Sequence, residues 1–418
     1  MDIHTNRFRW VIFASVLFTY LIISSQRTAP GLITDKLMAD FSVKASTIGL
    51  VASIQFFVYT GLQIPMGILV DRYGPNLFLI SGAALTGIGT ILYSLGTHAF
   101  ILFFARILTG IGDATIWVSM VLILSLWFGK GEFPRLIGLA GMTGSLGFLL
   151  ATVPFSAVIV SFGWRGSFLS AGILLCVWSF FLFLILVKKP KQPLLMKSTL
   201  QHEKISVLLR RIFLNRQAWA LFLCHFGIVG GYIGFIGSWA VPYAMDVYGM
   251  TRIEASQVIM ISLIGALVGA PLIGWVSSYL GKIKRPYVVF HITVLMCWTA
   301  FLLFKGQPPL FLVIILFFII GFGFGANSLT FAAVRKSFPV TESGSVSGFA
   351  NTGGFLSAVL LPGVFGSILE SVQSTSGSIS DGYFYGFFTP MIFSMVGLIG
   401  VMFLNEEQGV KGVRPPAS

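Results

Sequence analysis

The stretch GILVDRYGPN, residues 67–76, sets an acid and a base side by side directly behind a long apolar run, framed by Gly67 and Gly74. A charged pair is costly inside hydrocarbon, so Asp71 and Arg72 mark the end of a spanning helix, and Gly74 allows the tight turn into the next. A worn copy stands 207 residues further on. There GWVSSYLGKIKR, residues 274–285, keeps Gly274 for Gly67 and Gly281 for Gly74, with Ser278 and Tyr279 where Asp71 and Arg72 stand. An offset of about half the chain between equivalent short loops is the mark of a duplicated helical unit.

Outward from this repeat, the 418 residues are 56% hydrophobic and 10% charged, more apolar surface than one soluble core could bury. A bilayer is crossed by about 20 mostly apolar residues. That length predicts twelve spans, at 9–33, 47–70, 77–96, 99–126, 135–160, 167–187, 217–245, 253–280, 286–304, 309–332, 343–369 and 384–404. They fall six and six around one long polar stretch, giving an N-terminal bundle over 1–187, a basic linker over 188–216 and a C-terminal bundle over 217–418. The first apolar run has the basic-then-apolar order of a signal peptide but no small-x-small cleavage site, and reads as a retained span.

The surplus of 27 Lys and Arg over 14 Asp and Glu is a matter of topology, not of nucleic acid. Twenty of the 27 fall in segments on one side of the twelve spans, which places both termini and the linker in the cytoplasm. A bacterial inner membrane is the expected location. Cys176, Cys224 and Cys297 each sit in an apolar run and read as small core residues. No His/Cys/carboxylate cluster, serine elbow or phosphate loop stands in the sequence, so neither an enzyme nor a metal or other cofactor is expected, and ATP is not the energy source.

Charges within the spans are few: Arg27, Arg106 and Asp113. Each needs a partner or a wet cavity. Arg27 lies some 17 residues beyond Trp10, hence roughly 25 Å along the first helix. Its guanidinium suits a substrate carboxylate or phosphate, against the alternatives of snorkelling outward or structural pairing. Arg106 and Asp113 share one face of the fourth helix but are about 10 Å apart along it, so each meets something else. Asp113 is the candidate proton carrier, or else the permanent counter-ion of an Arg on a neighbouring helix. Arg106 is its coupling partner or a second anion ligand. Gln55, Tyr59 and Gln63 form a polar stripe on the second helix, and Gln55 and Tyr59 are candidate substrate contacts together with Tyr232, Trp239, Asn327 and Asn351. His225 is a second candidate for proton coupling, or a donor to a backbone carbonyl.

The pattern Gly67, Asp71, Arg72, Gly74 between the second and third spans, with twelve spans in two halves, resembles the major facilitator superfamily; Arg106 with Gly110 and Gly112 resembles that family's fourth-helix motif. Two features depart from it: Pro75 and Asn76 replace the usual basic pair, and the fifth span, GLAGMTGSLGFLLATVP, lacks the Gly-Pro pair of many drug/proton antiporters. Arg27 with GWRGSF after the fifth span resembles, more loosely, the organic-anion/cation symporter branch. The resemblance implies an all-α membrane protein of two pseudo-symmetric six-helix bundles, working as a monomer by alternating access. It also gives Gly67, Asp71, Arg72 and Gly74 a conformational gating role, with Asp71 set against the start of the eleventh helix near Glu342 and Ser343. The expected function is proton-coupled uptake of a small organic solute, a carboxylate or amino acid. Export of a metabolite, siderophore or drug is the alternative within the class, and a non-transporting nutrient sensor the alternative outside it.

Overall fold

The computed structural model describes residues 7–42, 45–187 and 204–405. Among them every regular element is helical, and twelve helical stretches are long and apolar enough to cross a membrane. The order begins α1 (Phe8–Thr28), a 3-10 turn (Ala29–Ile33), α2 (Thr34–Phe41), α3 (Ala45–Tyr73), α4 (Pro75–Leu95) and α5 (Ala99–Trp127). The fifth and sixth spans run as one stretch, α6 (Phe133–Leu186), broken in conformation at Gly163, where φ is 69°. Only that glycine separates two helices that the sequence divides by a loop.

The second half opens with α7 (Ile205–Phe213), followed by α8 (Arg216–Val229), a π-helical turn (Gly230–Ile236) and α9 (Ala240–Tyr248). There follow α10 (Arg252–Leu280), α11 (Lys284–Leu303), α12 (Leu310–Phe324), α13 (Asn327–Ser337), α14 (Ser343–Ser376), α15 (Ile379–Gly386) and α16 (Phe388–Phe403). Three expected spans are thus interrupted. The seventh carries the π turn where Gly230, Gly231 and Gly234 lower helix propensity, the tenth breaks at Gly325 and Ala326, and the twelfth divides at Phe387. Of the expected linker, residues 188–203 lie outside the described residues, as do Lys44, Lys411 and Arg414, which were counted for orientation.

The chain forms two compact units. One comprises residues 1–129, 143–205 and 340–348, the other 130–142, 206–339 and 349–418. The beginnings of α6 and α14 each group with the unit other than the one holding the rest of their helix. In the first unit Tyr93, Leu102, Trp164 and Phe168 pack with Ile33 and Leu37. The second is built on an aromatic core of Phe235, Trp298, Phe301, Phe317, Phe365 and Phe387, in which Phe301 stacks on Phe387 at 4.5 Å between ring centroids. Glycines bring backbones together around these cores. In the second unit a methyl group at Gly227 would strike the Cα of Gly397, so α8 and α16 touch main chain to main chain.

Candidate functional site

Arg27 and Asp113 meet in the first unit. Helical Cα–Cβ bonds lean toward the N-terminus, so a long side chain near the end of α1 reaches back along its own helix. The Arg27 guanidinium donates from Nε to Asp113 Oδ2 at 2.7 Å and from Nη2 to Oδ1 at 2.8 Å. Two parallel charge-assisted bonds make the bidentate geometry that a guanidinium offers any carboxylate. The pair is 5% and 1% exposed, so Arg27 does not snorkel. Gln55 Nε2 adds a 3.2 Å bond to Oδ2 of Asp113, while its own buried Oε1 has no partner among the described residues. The guanidinium carbon lies 4.8 Å from the Tyr59 ring centre and 5.7 Å from that of Tyr20. Two aromatic faces and a carboxylate therefore surround one cation.

Arg106 is placed otherwise than as the cation on Asp113. Its Nη1 and Nη2 point to the carbonyls of Gln26 and Arg27 at 3.5 and 3.4 Å, and its carbon lies 5.9 Å from the Tyr93 ring centre. These carbonyls belong to the last turn of α1, where four acceptors lack helical donors and the dipole is negative. Arg106 thereby holds the turn that carries Arg27, with its buried Nε unpaired among the described residues.

At the other end of α3, Asp71 is buried against the start of α14 within the same unit. Gly344 N–H donates to Oδ1 at 2.7 Å, and Ser345 N–H and Oγ–H both donate to Oδ2 at 2.6 Å. A carboxylate here satisfies unpaired amides at a helix N-terminus. The approach needs glycine, because a methyl group at Gly67 would collide with the Gly344 carbonyl. Gly74, at φ 91°, caps α4 with Pro75 at its first position, and Arg72 is half-buried. In the second unit the worn copy keeps the close approach without the acid. A methyl group at Gly274 would strike the Pro134 carbonyl, and Ser278 Oγ donates to Gly131 O at 2.9 Å.

The remaining candidates lie in the second unit and do not form one cluster. His225 bonds Thr330 Oγ through Nδ1 at 3.0 Å and Asn351 Oδ1 through Nε2 at 3.2 Å. An amide oxygen accepts only, so Nε2 carries the proton and Nδ1 accepts from Thr330. Thr330 then takes a bond from the Tyr287 hydroxyl at 2.6 Å. His225 is thus held by side chains rather than by a backbone carbonyl. It is His291 that lies against carbonyls, those of Tyr287 and Cys224 at 3.0 and 3.1 Å. Tyr232 stacks on Phe324 at 4.1 Å and is buried in the core; Trp239 donates to the Pro362 carbonyl at 3.0 Å and stacks on Phe365; Asn327 is buried at the start of α13.

Sequence reading missed Tyr20, although it stands seven residues before Arg27 on the same face of α1. It also missed Thr330 and Tyr287, whose hydroxyls carry no signal of their own in an apolar run.

The pattern of the Major Facilitator Superfamily matches residues 12–362. Among curated proteins, the chain is 24% identical to the uncharacterized transporter YybO of Bacillus subtilis (strain 168), over 95% of this chain and 90% of that one. It is 22% identical to the D-galactonate transporter of Escherichia coli O6:H1 (strain CFT073), over 96% and 97% of the two chains. Among solved structures, the E. coli fucose:proton symporter FucP superposes with a TM-score of 0.74 at 15% identity, covering 96% of this chain and all of that one, which is a likeness of fold.

Proposed function

The chain belongs to the major facilitator superfamily, and on that premise we propose that it imports a small organic acid together with protons, Arg27 gripping the substrate carboxylate and Asp113 carrying the proton. As a member of that family it is a secondary transporter of small molecules set in a lipid bilayer, and not an enzyme. The observation that carries the proposal is the bidentate Arg27–Asp113 pair. Asp113 occupies the Nε/Nη2 edge of the Arg27 guanidinium, and one edge takes one carboxylate at a time. A substrate carboxylate that takes that edge leaves Asp113 a buried, uncompensated anion, a state that protonation relieves. Anion binding and proton uptake are thereby linked at one cation. The similarity to a D-galactonate transporter supports a sugar acid as the class of substrate.

Tyr20 and Tyr59 flank the guanidinium with aromatic faces suited to the carbon skeleton of such a substrate, and Gln55 offers a free acceptor to one of its hydroxyls. Arg106 is a positioning residue for the last turn of α1. The proton role rests on Asp113 alone, His225 serving as a structural tie in its own network. Asp71 with Gly67, Arg72 and Gly74 acts as a latch on the first turn of α14, closed here and released as access alternates. In this reading the protein is a monomer of the inner membrane with cytoplasmic termini.

Thermal unfolding of the purified protein with D-galactonate tests the substrate assignment. A ligand at about 100 times its dissociation constant stabilises the fold by about 2.7 kcal/mol. The wild type is expected to show a corresponding rise in melting temperature and Arg27→Ala none. An equal rise in both would remove Arg27 from the site. No rise with D-galactonate or any other organic acid would favour export of a hydrophobic solute.

A further inference from the structure

Helix α7 has no part in transport as proposed, yet its composition is specific. Leu208 and Ile212, four residues apart, are buried. On another face Val207 is 49% exposed, and Leu214, in the turn that follows the helix with its N–H still bonded to Arg210 O at 3.0 Å, is 72% exposed. Arg210 and Arg211 are exposed on either side of that apolar strip, and Lys204 precedes it. No acidic residue occurs between positions 204 and 216.

The position of α7 is as informative as its faces. Only Leu214 and Asn215 separate it from α8, which begins a membrane span at Arg216. Two residues reach at most about 7 Å, so the C-terminal end of α7 lies close to the level where the hydrocarbon ends. The turn is held firmly. Asn215 Oδ1 accepts from the amides of Gln217 and Ala218 at 2.8 and 3.3 Å, and Trp219 Nε1 donates to the Phe213 carbonyl at 2.7 Å. Trp219 is itself partly exposed, as an indole at a membrane boundary is.

We propose that α7 is a docking surface for anionic phospholipid, with Val207 and Leu214 entering the acyl boundary and Lys204 and Arg210 holding headgroup phosphates. An apolar strip bordered by cations is the pattern of a helix lying in the interface plane, and a helix with no acid complements a negative surface. The planar guanidinium fork fits a phosphodiester in particular. The proposal is independent of which solute is carried.

The test is a nitroxide at Val207→Cys, with Cys176, Cys224 and Cys297 changed to Ala, in the full chain reconstituted into phosphatidylglycerol or phosphatidylcholine vesicles. Collisions with oxygen and with a water-soluble nickel chelate report whether the label sits in membrane or water. In phosphatidylglycerol the label is expected to be membrane-apposed. The ratio of apposed to water-exposed label should fall about fivefold for each basic residue removed in Lys204→Gln and Lys204→Gln/Arg210→Gln, variants that spare the buried face. Equal ratios in the two lipids, or no change on removing the charges, would overturn the proposal. Intact α7 in the variants is checked by a second label at the partly buried Leu209, whose mobility should not change.

Discussion

Asp71 satisfies the backbone donors at the start of α14. Its two oxygens take three bonds from Gly344 and Ser345, all of them charge-assisted. Asp71→Asn keeps the shape but presents one acceptor oxygen and turns an amide NH2 toward backbone donors. One or two bonds of about 1.5–3 kcal/mol each are lost. Because this latch is remote from Arg27, the expected result is transport reduced by at least about tenfold with equilibrium substrate binding changed only a few-fold. Uptake rate measured beside thermal-shift affinity checks this, and loss of binding in a folded variant would contradict it. The acid and its glycines were legible in the sequence because they form a dense local motif, and resemblance placed the partner within two residues of the truth. The Arg27–Asp113 pair was legible in part, since Asp113 as the counter-ion of an Arg on a neighbouring helix was one of two readings, but its bidentate geometry was not. Which charge meets which depends on the rotation of α1 against α5, and no local pattern encodes it. Arg106 illustrates the same limit, since its partners are carbonyls, which every residue has.

At the scale of the element, glycine determines how closely helices approach. Gly227 of α8 and Gly397 of α16 touch through their main chains, while Gly230 and Gly231 open the π turn that follows. Gly227→Leu would force the two helices apart, and overpacking of this kind costs about 1–3 kcal/mol or more. A lower melting temperature and a lower yield of folded protein are expected, with the substrate-induced shift retained in whatever folds, because Arg27 lies in the other unit. An unchanged melting temperature would mean that the two helices are not packed this closely. The twelve spans were readable from length and hydropathy, and most boundaries fall within a few residues of the helices found. The interruptions were less readable. Gly163 breaks α6 through its backbone conformation alone, and a π turn requires only one extra residue per hydrogen-bonded ring, which leaves the apolar periodicity nearly unchanged.

Across the whole molecule, the proposed mechanism shares a single cation, Arg27, in turn between Asp113 and a substrate carboxylate, so that anion and proton move together. Composition and the half-chain repeat identified a membrane transporter, and the family match agrees with them. The substrate was not legible, because no local pattern encodes how helices far apart in sequence pack into a binding site. The most direct measurement is uptake of D-galactonate into proteoliposomes under an imposed pH gradient, acidic outside, with wild type, Arg27→Ala and Asp113→Asn compared. Accumulation is expected of the wild type and none of Arg27→Ala. Asp113→Asn should exchange internal for external substrate yet fail to concentrate it in response to the gradient. Undiminished gradient-driven accumulation by Asp113→Asn would contradict this mechanism, and accumulation only when the gradient is reversed would make the protein an exporter.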